Sequence, residues 1–184
     1  MNSGLIFLII IGVIVLYLIM AYNKLIKLRN NIHNAFADID VQMKLRFDLI
    51  ENLVNTVKGY ASHEKETLEK LTLARTNFMS AQSPQDKLAA DNMLSGALKS
   101  LFAVSENYPD LKANQNFLQL QNELSDIENK LAAARRYFNS STNEYNSSIQ
   151  SFPTNLVAKS FNFKEEKFFA IENPEEKEVP KVQF

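Results

Sequence analysis

Leu5 to Ala21 forms a run of 17 residues with no charge and no turn signal, and it passes directly into an amphipathic heptad pattern. A helix of that length spans roughly 26 Å, close to the thickness of a bilayer core. The chain therefore has to accommodate an apolar rod at one end and a polar-faced helix growing out of it. A secretory signal would carry a basic start and a small-residue cleavage site. Met1-Asn2-Ser3-Gly4 has no Lys or Arg, and Leu18-Ile19-Met20-Ala21-Tyr22 is a poor exit for cleavage. With no cysteine in the chain, lipoprotein processing is excluded. Residues 1–22 are expected to form an uncleaved membrane anchor; the alternative is a buried core helix. Lys24, Lys27 and Arg29 follow the run and no basic side chain precedes it. The positive-inside bias then predicts an outer N-terminus and a cytoplasmic bundle.

Composition narrows the rest. The 184 residues carry Lys+Arg 20 against Asp+Glu 21, so no basic face for nucleic acid is expected. Zero cysteine removes disulfides, zinc-thiolate sites and thiol nucleophiles together. Four Gly and five Pro argue against a turn-rich β fold. What remains beyond the anchor is one domain with room for a core.

The expected class is all-α: an N-terminal transmembrane helix continuing into a long antiparallel up-down four-helix bundle over 23–163. The first helix, about 23–60, has one stripe at Leu25, Leu28, Ile32, Ala35 and Ile39, resumed by Leu49, Leu53 and Tyr60. A second stripe, Phe36, Met43, Phe47, Ile50, Val54 and Val57, widens the face enough to meet two neighbours. The second helix, about 62–80, starts at Ser62 as N-cap and carries Leu68, Leu71 and Phe78. Ser83-Pro84-Gln85-Asp86 reads as N-cap, N1 proline and N3 acid of the third helix, about 84–107. Pro109 ends that helix and restricts Tyr108. The fourth, about 110–152, alternates steps of three and four from Phe117 through Leu120, Leu124, Ile127, Leu131, Ala134, Phe138, Ser141, Tyr145 and Ser148 to Phe152. That period implies left-handed, near-antiparallel packing.

The first and fourth helices are each about twice as long as the middle two. If the middle two form a hairpin, which the short link Ser80–Ser83 suits, the fourth helix returns toward the membrane. If they are collinear, it ends far away. Beyond Pro153, Phe161, Phe163, Phe168 and Phe169 alternate with Lys159, Lys164 and Lys167. This segment either rests at the membrane interface or packs across the base of the bundle. Residues 164–184 are expected to be a partly disordered tail, from Glu172 onward short, acidic and Pro-containing.

A catalytic centre is not expected. His63-Glu64-Lys65-Glu66-Thr67 has Thr where a zinc-protease helix needs its second His. His33 and His63 are preceded three residues earlier by Asn30 and Tyr60, not by the Glu of a di-iron bundle. Asp38 and Asp40 point about 200° apart on a helix and read as a solvated face. No metal, cofactor or catalytic residue is predicted. The polar interruptions of the seams remain: Gln42 and Arg46 in the first helix, Arg75 in the second, Glu128 and Arg135 in the fourth. Arg46 is expected either to pair with a carboxylate on a facing helix, setting register, or to reach solvent along its own stem.

Several segments together carry a resemblance. They are Tyr22-Asn23-Lys24-Leu25-Ile26-Lys27-Leu28-Arg29-Asn30, Asp38-Ile39-Asp40-Val41-Gln42, Asp48-Leu49-Ile50, Thr56-Val57-Lys58-Gly59-Tyr60-Ala61, Ser105-Glu106-Asn107-Tyr108-Pro109-Asp110-Leu111-Lys112-Ala113-Asn114 and Ala134-Arg135-Arg136-Tyr137-Phe138-Asn139. Together with Glu128-Asn129 they resemble the LemA family of bacterial membrane proteins, a likeness that runs from the anchor to about Phe163 and implies the inner membrane of a bacterium. The chain departs from the family at Glu51, where Pro is usual, at Phe36, where Trp is usual, and at Leu45, where a basic residue is usual. The resemblance implies a single span, a short outer N-terminus and a cytoplasmic helical bundle, with no catalytic motif. It marks Arg29, Asn30, Asp40, Gln42, Arg46, Asp48, Glu106, Asn107, Tyr108, Asp110, Lys112, Asn114, Glu128 and Arg135 as polar positions that are structural or partner-binding.

The expected function is a non-catalytic, membrane-anchored scaffold or adaptor. The alternative is an accessory or regulatory subunit of a membrane enzyme such as a protease. The polar corner from Glu106 to Asn114 is one docking candidate; otherwise Tyr108 and Leu111 close the bundle end while Asp110 caps the fourth helix. Expected partners are the lipid bilayer, one or more unidentified proteins and, through the wide face of the first helix, a further copy of the chain.

Overall fold

The computed structural model describes residues 3–61, 63–82 and 84–169, the side chains of Pro84 and Gln85 excepted. The proposed caps Ser62 and Ser83 and the acidic tail lie outside the described residues. Those residues form six helices and no strand: α1 Ser3–Lys58, α2 Lys65–Ser80, α3 Pro84–Ser105, α4 Pro109–Lys112, α5 Gln115–Gln150 and α6 Thr154–Ser160. The apolar run and the amphipathic segment after it are one helix, α1. It runs through Glu51 without interruption, because a residue that keeps its N–H can stay in the ladder where proline cannot.

The contacts divide into two compact units. One comprises residues 37–134, where four helical segments meet: α1, α2, α3 and α5. Its core is made by Ile39, Met43, Phe47, Ile50, Leu53 and Val57 of α1, Leu68, Leu71 and Ala74 of α2, Leu94 and Leu101 of α3, and Phe117, Leu124 and Leu131 of α5, all buried. Each large side chain removed from water contributes roughly 1.5–3 kcal/mol. Of the expected stripes of α1, Ile39 and Leu53 of the first and Met43, Phe47, Ile50, Val54 and Val57 of the second are buried in this unit, whereas Tyr60 is 44% exposed. Phe47 and Phe78 stack face to face, centroids 4.1 Å apart with planes at 11°. α2 and α3 form the hairpin that the short link suits. α1 and α5 run antiparallel here: Arg46 faces Glu128, and Tyr60, just past α1, faces Asn114. α1 ends at Lys58, where the Tyr60 and Ala61 amides both bond to the Val57 carbonyl. α2 begins after Glu64, which supplies no side-chain cap.

The other unit comprises residues up to 36 and from 135 onward. In it α1 and α5 pair antiparallel, with Phe36 edge-on to Phe138 and Tyr17 touching Thr154. Leu25, Leu28, Ile32 and Ala35 of α1 and Phe138, Tyr145 and Ile149 of α5 are all buried. The expected seam of α5 holds as far as Tyr145 and fails at Phe152, which is 80% exposed. α5 stops at Gln150 and the chain turns at Phe152-Pro153, a cis peptide, so the seam closes with Ile149 instead.

α6 ends in a Schellman arrangement. The Phe163 amide bonds to the Ala158 carbonyl at 2.9 Å and the Asn162 amide to Lys159 at 3.3 Å. Asn162, at φ 56°, takes the left-handed position that glycine usually fills. The turn sends residues 163–169 back along α1 and α5 as an extended segment.

Candidate functional site

The seam polarity of the 37–134 unit gathers around Arg46. Its guanidinium is almost water-free and donates through Nη1 to Asp91 Oδ1 at 2.7 Å. Asp91 lies on α3 one turn before Leu94 and is 1% exposed. Nη2 lies 2.7 Å from Glu128 Oε2 on α5, an ion contact outside hydrogen-bond geometry. Arg46 thus ties α1 to two facing helices. Gln42, one turn earlier, keeps its Oε1 buried without a hydrogen-bond partner.

Nearby, a solvent-open groove of about 290 Å³ is lined by Lys44, Asp48, Arg75 and Lys87 over the Phe47–Phe78 stack. Lys87 pairs with Asp40, and Arg75 donates to Glu51 at 2.9 Å. Asp38 and Asp48 are exposed.

The corner from Glu106 to Asn114 is a knot of internal contacts. Leu111 is buried in the one-turn helix α4. The Tyr108 hydroxyl donates to Glu64 at 3.0 Å. That bond, with burial and the Glu64 charge, raises the phenol above its ordinary pKa. Asn114 donates from Nδ2 to the Tyr60 hydroxyl at 2.9 Å, and its Oδ1 accepts the Phe117 amide at 3.0 Å. The cap of α5 is therefore Asn114, not Asp110, since α4 intervenes and moves the start of the long helix to Gln115. Asp110 and Asn107 are exposed, and Glu106 pairs with Lys112 on the surface.

In the other unit, Asn139 and Asn146 hold the extended C-terminal segment by its backbone. Asn146 donates to the Glu166 carbonyl at 2.8 Å and accepts its amide at 3.0 Å. Asn139 does the same to Phe169, at 3.1 and 2.8 Å. Tyr145 donates to the Lys164 carbonyl at 2.9 Å. Burial raises the Tyr145 phenol pKa, the Glu166 charge adds to the rise and Arg29 opposes it. Arg29 lies over the Phe163 ring at 5.4 Å and Arg135 over Phe169 at 5.3 Å. Asn30 is exposed.

Of the two sequence alternatives for this stretch, 163–169 packs on the chain itself. Asp91 and Asn146 escaped the sequence reading, and Asn139 entered it only as the end of a resembling segment, with no role assigned. Their signals were there: Asp91 is three residues before Leu94, and the two asparagines, seven apart, each follow a seam residue, Phe138 and Tyr145.

Among the described residues, no three His, Asp or Glu side chains converge in a way that could hold a metal ion. His33 and His63 are exposed. The polar groups brought together are ion pairs, caps and backbone clasps. At the far end, the side chains of the apolar run stand in the open, from Leu5 at 54% to Met20 at 57%, and α1 is long and apolar enough to cross a membrane.

The model of the LemA family matches residues 35–184, a window that includes every marked polar position except Arg29 and Asn30. Protein LemA of Metamycoplasma hominis is 32% identical over 156 residues, covering 83% of this chain and 70% of that protein. Magnetosome protein MamQ of Magnetospirillum gryphiswaldense is 22% identical over 178 residues, and Magnetosome protein MamQ 2 of Paramagnetospirillum magneticum 24%; each match covers 83% of this chain and 65% of the relative. The chain spans about two thirds of the length of these relatives.

Proposed function

The chain belongs to the LemA family, and on that premise we propose that it is a non-catalytic scaffold or adaptor, anchored by a single span and binding other proteins at the membrane. One observation carries this reading. Of the polar side chains that interrupt the seams, Arg46 pairs with Asp91 and Glu128 and Arg75 with Glu51, each between helices, while the apolar run of α1 is unburied and continues as one helix into the bundle. Such a chain holds whatever its bundle binds close to the bilayer. The names of the relatives, Protein LemA and Magnetosome protein MamQ, specify no reaction.

Lys24, Lys27 and Arg29 after the run favour an outer N-terminus and a cytoplasmic bundle. The exposed corner residues Asn107 and Asp110 are the proposed protein-facing surface.

Topology is tested first. The chain has no cysteine, so Ser3→Cys and Asn107→Cys can be labelled singly in intact cells with a membrane-impermeant maleimide. Labelling at position 3 alone is expected; labelling at 107 alone reverses the orientation. Photo-crosslinking from position 110 should then trap one or a few discrete proteins. A smear indistinguishable from that at exposed Tyr137 would overturn the docking corner. Capture of a membrane protease whose activity changes on deletion of this chain would replace the adaptor by an accessory subunit.

A further inference from the structure

We infer that the turn joining α5 to α6 is a second membrane contact, seated in the headgroup–acyl boundary of the leaflet that α1 enters. Tyr17, the contact point, lies inside the apolar run. Its hydroxyl is 3.3 Å from Thr154 Oγ1, the first residue of α6. Tyr17 is four residues short of the end of the run at Ala21, about 6 Å along the helix. Any bilayer that covers the run therefore reaches the level of Thr154.

At that level the chain turns apolar side chains outward. Phe152 is 80% exposed, Leu156 57% and Phe161 59%. α6 buries Val157 and Ala158 on its inner side, so Leu156 is not a displaced core residue. Phe161 leans on Tyr22, just past the end of the run, with centroids 4.8 Å apart. Lys159 on α6 and Lys24 and Lys27 on α1 are exposed nearby in sequence to these groups. Aromatic and aliphatic side chains at the boundary with lysines beside them are what an interfacial segment presents, with its apolar face about 5–10 Å deep. The occupant follows from continuity: the patch adjoins a surface already given to lipid. Of the four phenylalanines expected at the interface, only Phe161 belongs to this contact, joined by Phe152 and Leu156.

This inference rests on the spanning reading of α1, and the test separates the two. The chain has no tryptophan, so single-Trp variants report cleanly. The full chain, with helicity checked by circular dichroism, is placed in vesicles of phosphatidylcholine and phosphatidylglycerol. The acyl chains carry bromine either near the headgroup or near the methyl end. Val13→Trp reports on the span, Phe152→Trp, Leu156→Trp and Phe161→Trp on the turn, and Tyr137→Trp on exposed α5. Expected are strong quenching of V13W by the deep bromine, and blue-shifted emission with greater quenching by the shallow bromine for the turn variants. Y137W should keep its emission. Turn variants that behave like Y137W while V13W is quenched overturn the inference and leave the anchor standing. Blue-shifted turn variants that lipid bromine does not quench also overturn it, because the patch is then covered by protein. An unquenched V13W removes the span and this contact together. Leu156→Trp stands in if either Phe variant loses helicity.

Discussion

Arg46 and Asp91 meet at 2.7 Å with side chains 6% and 1% exposed, an ion pair that joins α1 to α3 inside the bundle. Charges withdrawn this far from water gain little net stability as a pair, but removing one partner strands the other.

Asp91→Ala should therefore cost roughly 3–5 kcal/mol, towards the lower end because Glu128 still contacts the guanidinium. Arg46→Met combined with Asp91→Leu should be neutral or stabilising by about 1–4 kcal/mol. Urea unfolding of the single and double variants checks both. If the pair sets register, the double variant keeps its stability but broadens its NMR spectrum; an unchanged spectrum would remove that role.

Asn139→Ala and Asn146→Ala each delete two backbone bonds, worth roughly 0.5–1.5 kcal/mol apiece. The loss should be local. Hydrogen exchange at the Phe169 amide should accelerate in the first variant and at the Glu166 amide in the second, with the protection of Leu28 and Ile32 unchanged.

Both Tyr108 and Tyr145 have raised phenol pKa values, the first through its bond to Glu64 and the second through burial. The folded chain therefore holds these protons more tightly than the unfolded one. Their contribution is fully present below the usual phenol range, about pH 10, and is lost as pH climbs through the higher folded values. Stability measured from pH 8 to 11 should fall, and Tyr145→Phe together with Tyr108→Phe should flatten the decline.

Asn114 both caps α5 and holds Tyr60. Asn114→Ala should cost about 0.5–2 kcal/mol in thermal or urea unfolding, whereas Asp110→Ala, at an exposed position without the cap, should change stability by less than about 0.5 kcal/mol. Equal effects would return the cap to Asp110.

The all-α class and the long helical stretches were legible in the sequence, whereas the short helices α4 and α6 were not. Heptad spacing from Leu25 to Val57 and from Phe117 to Tyr145 specifies which faces must leave water, whatever they pack against. The uncharged run at Leu5 to Ala21 specifies one segment suited to hydrocarbon. For Arg46 the sequence left two outcomes, a facing carboxylate or a side chain reaching solvent, and the structure has the first.

Which carboxylate it is could not be read, since Asp91 and Arg46 are 45 residues apart and only the hairpin of α2 and α3 brings them together. The same holds at the corner. Sequence marked Asp110 and Asn114 alike, but the helical turn at Pro109–Lys112 decided which side chain reaches the free amide of Phe117. Phe152 followed the heptad period yet lies outside, because periodicity does not see where a helix stops. Local pattern determines what each residue needs; only the tertiary arrangement, through contacts distant along the chain, decides which neighbour supplies it.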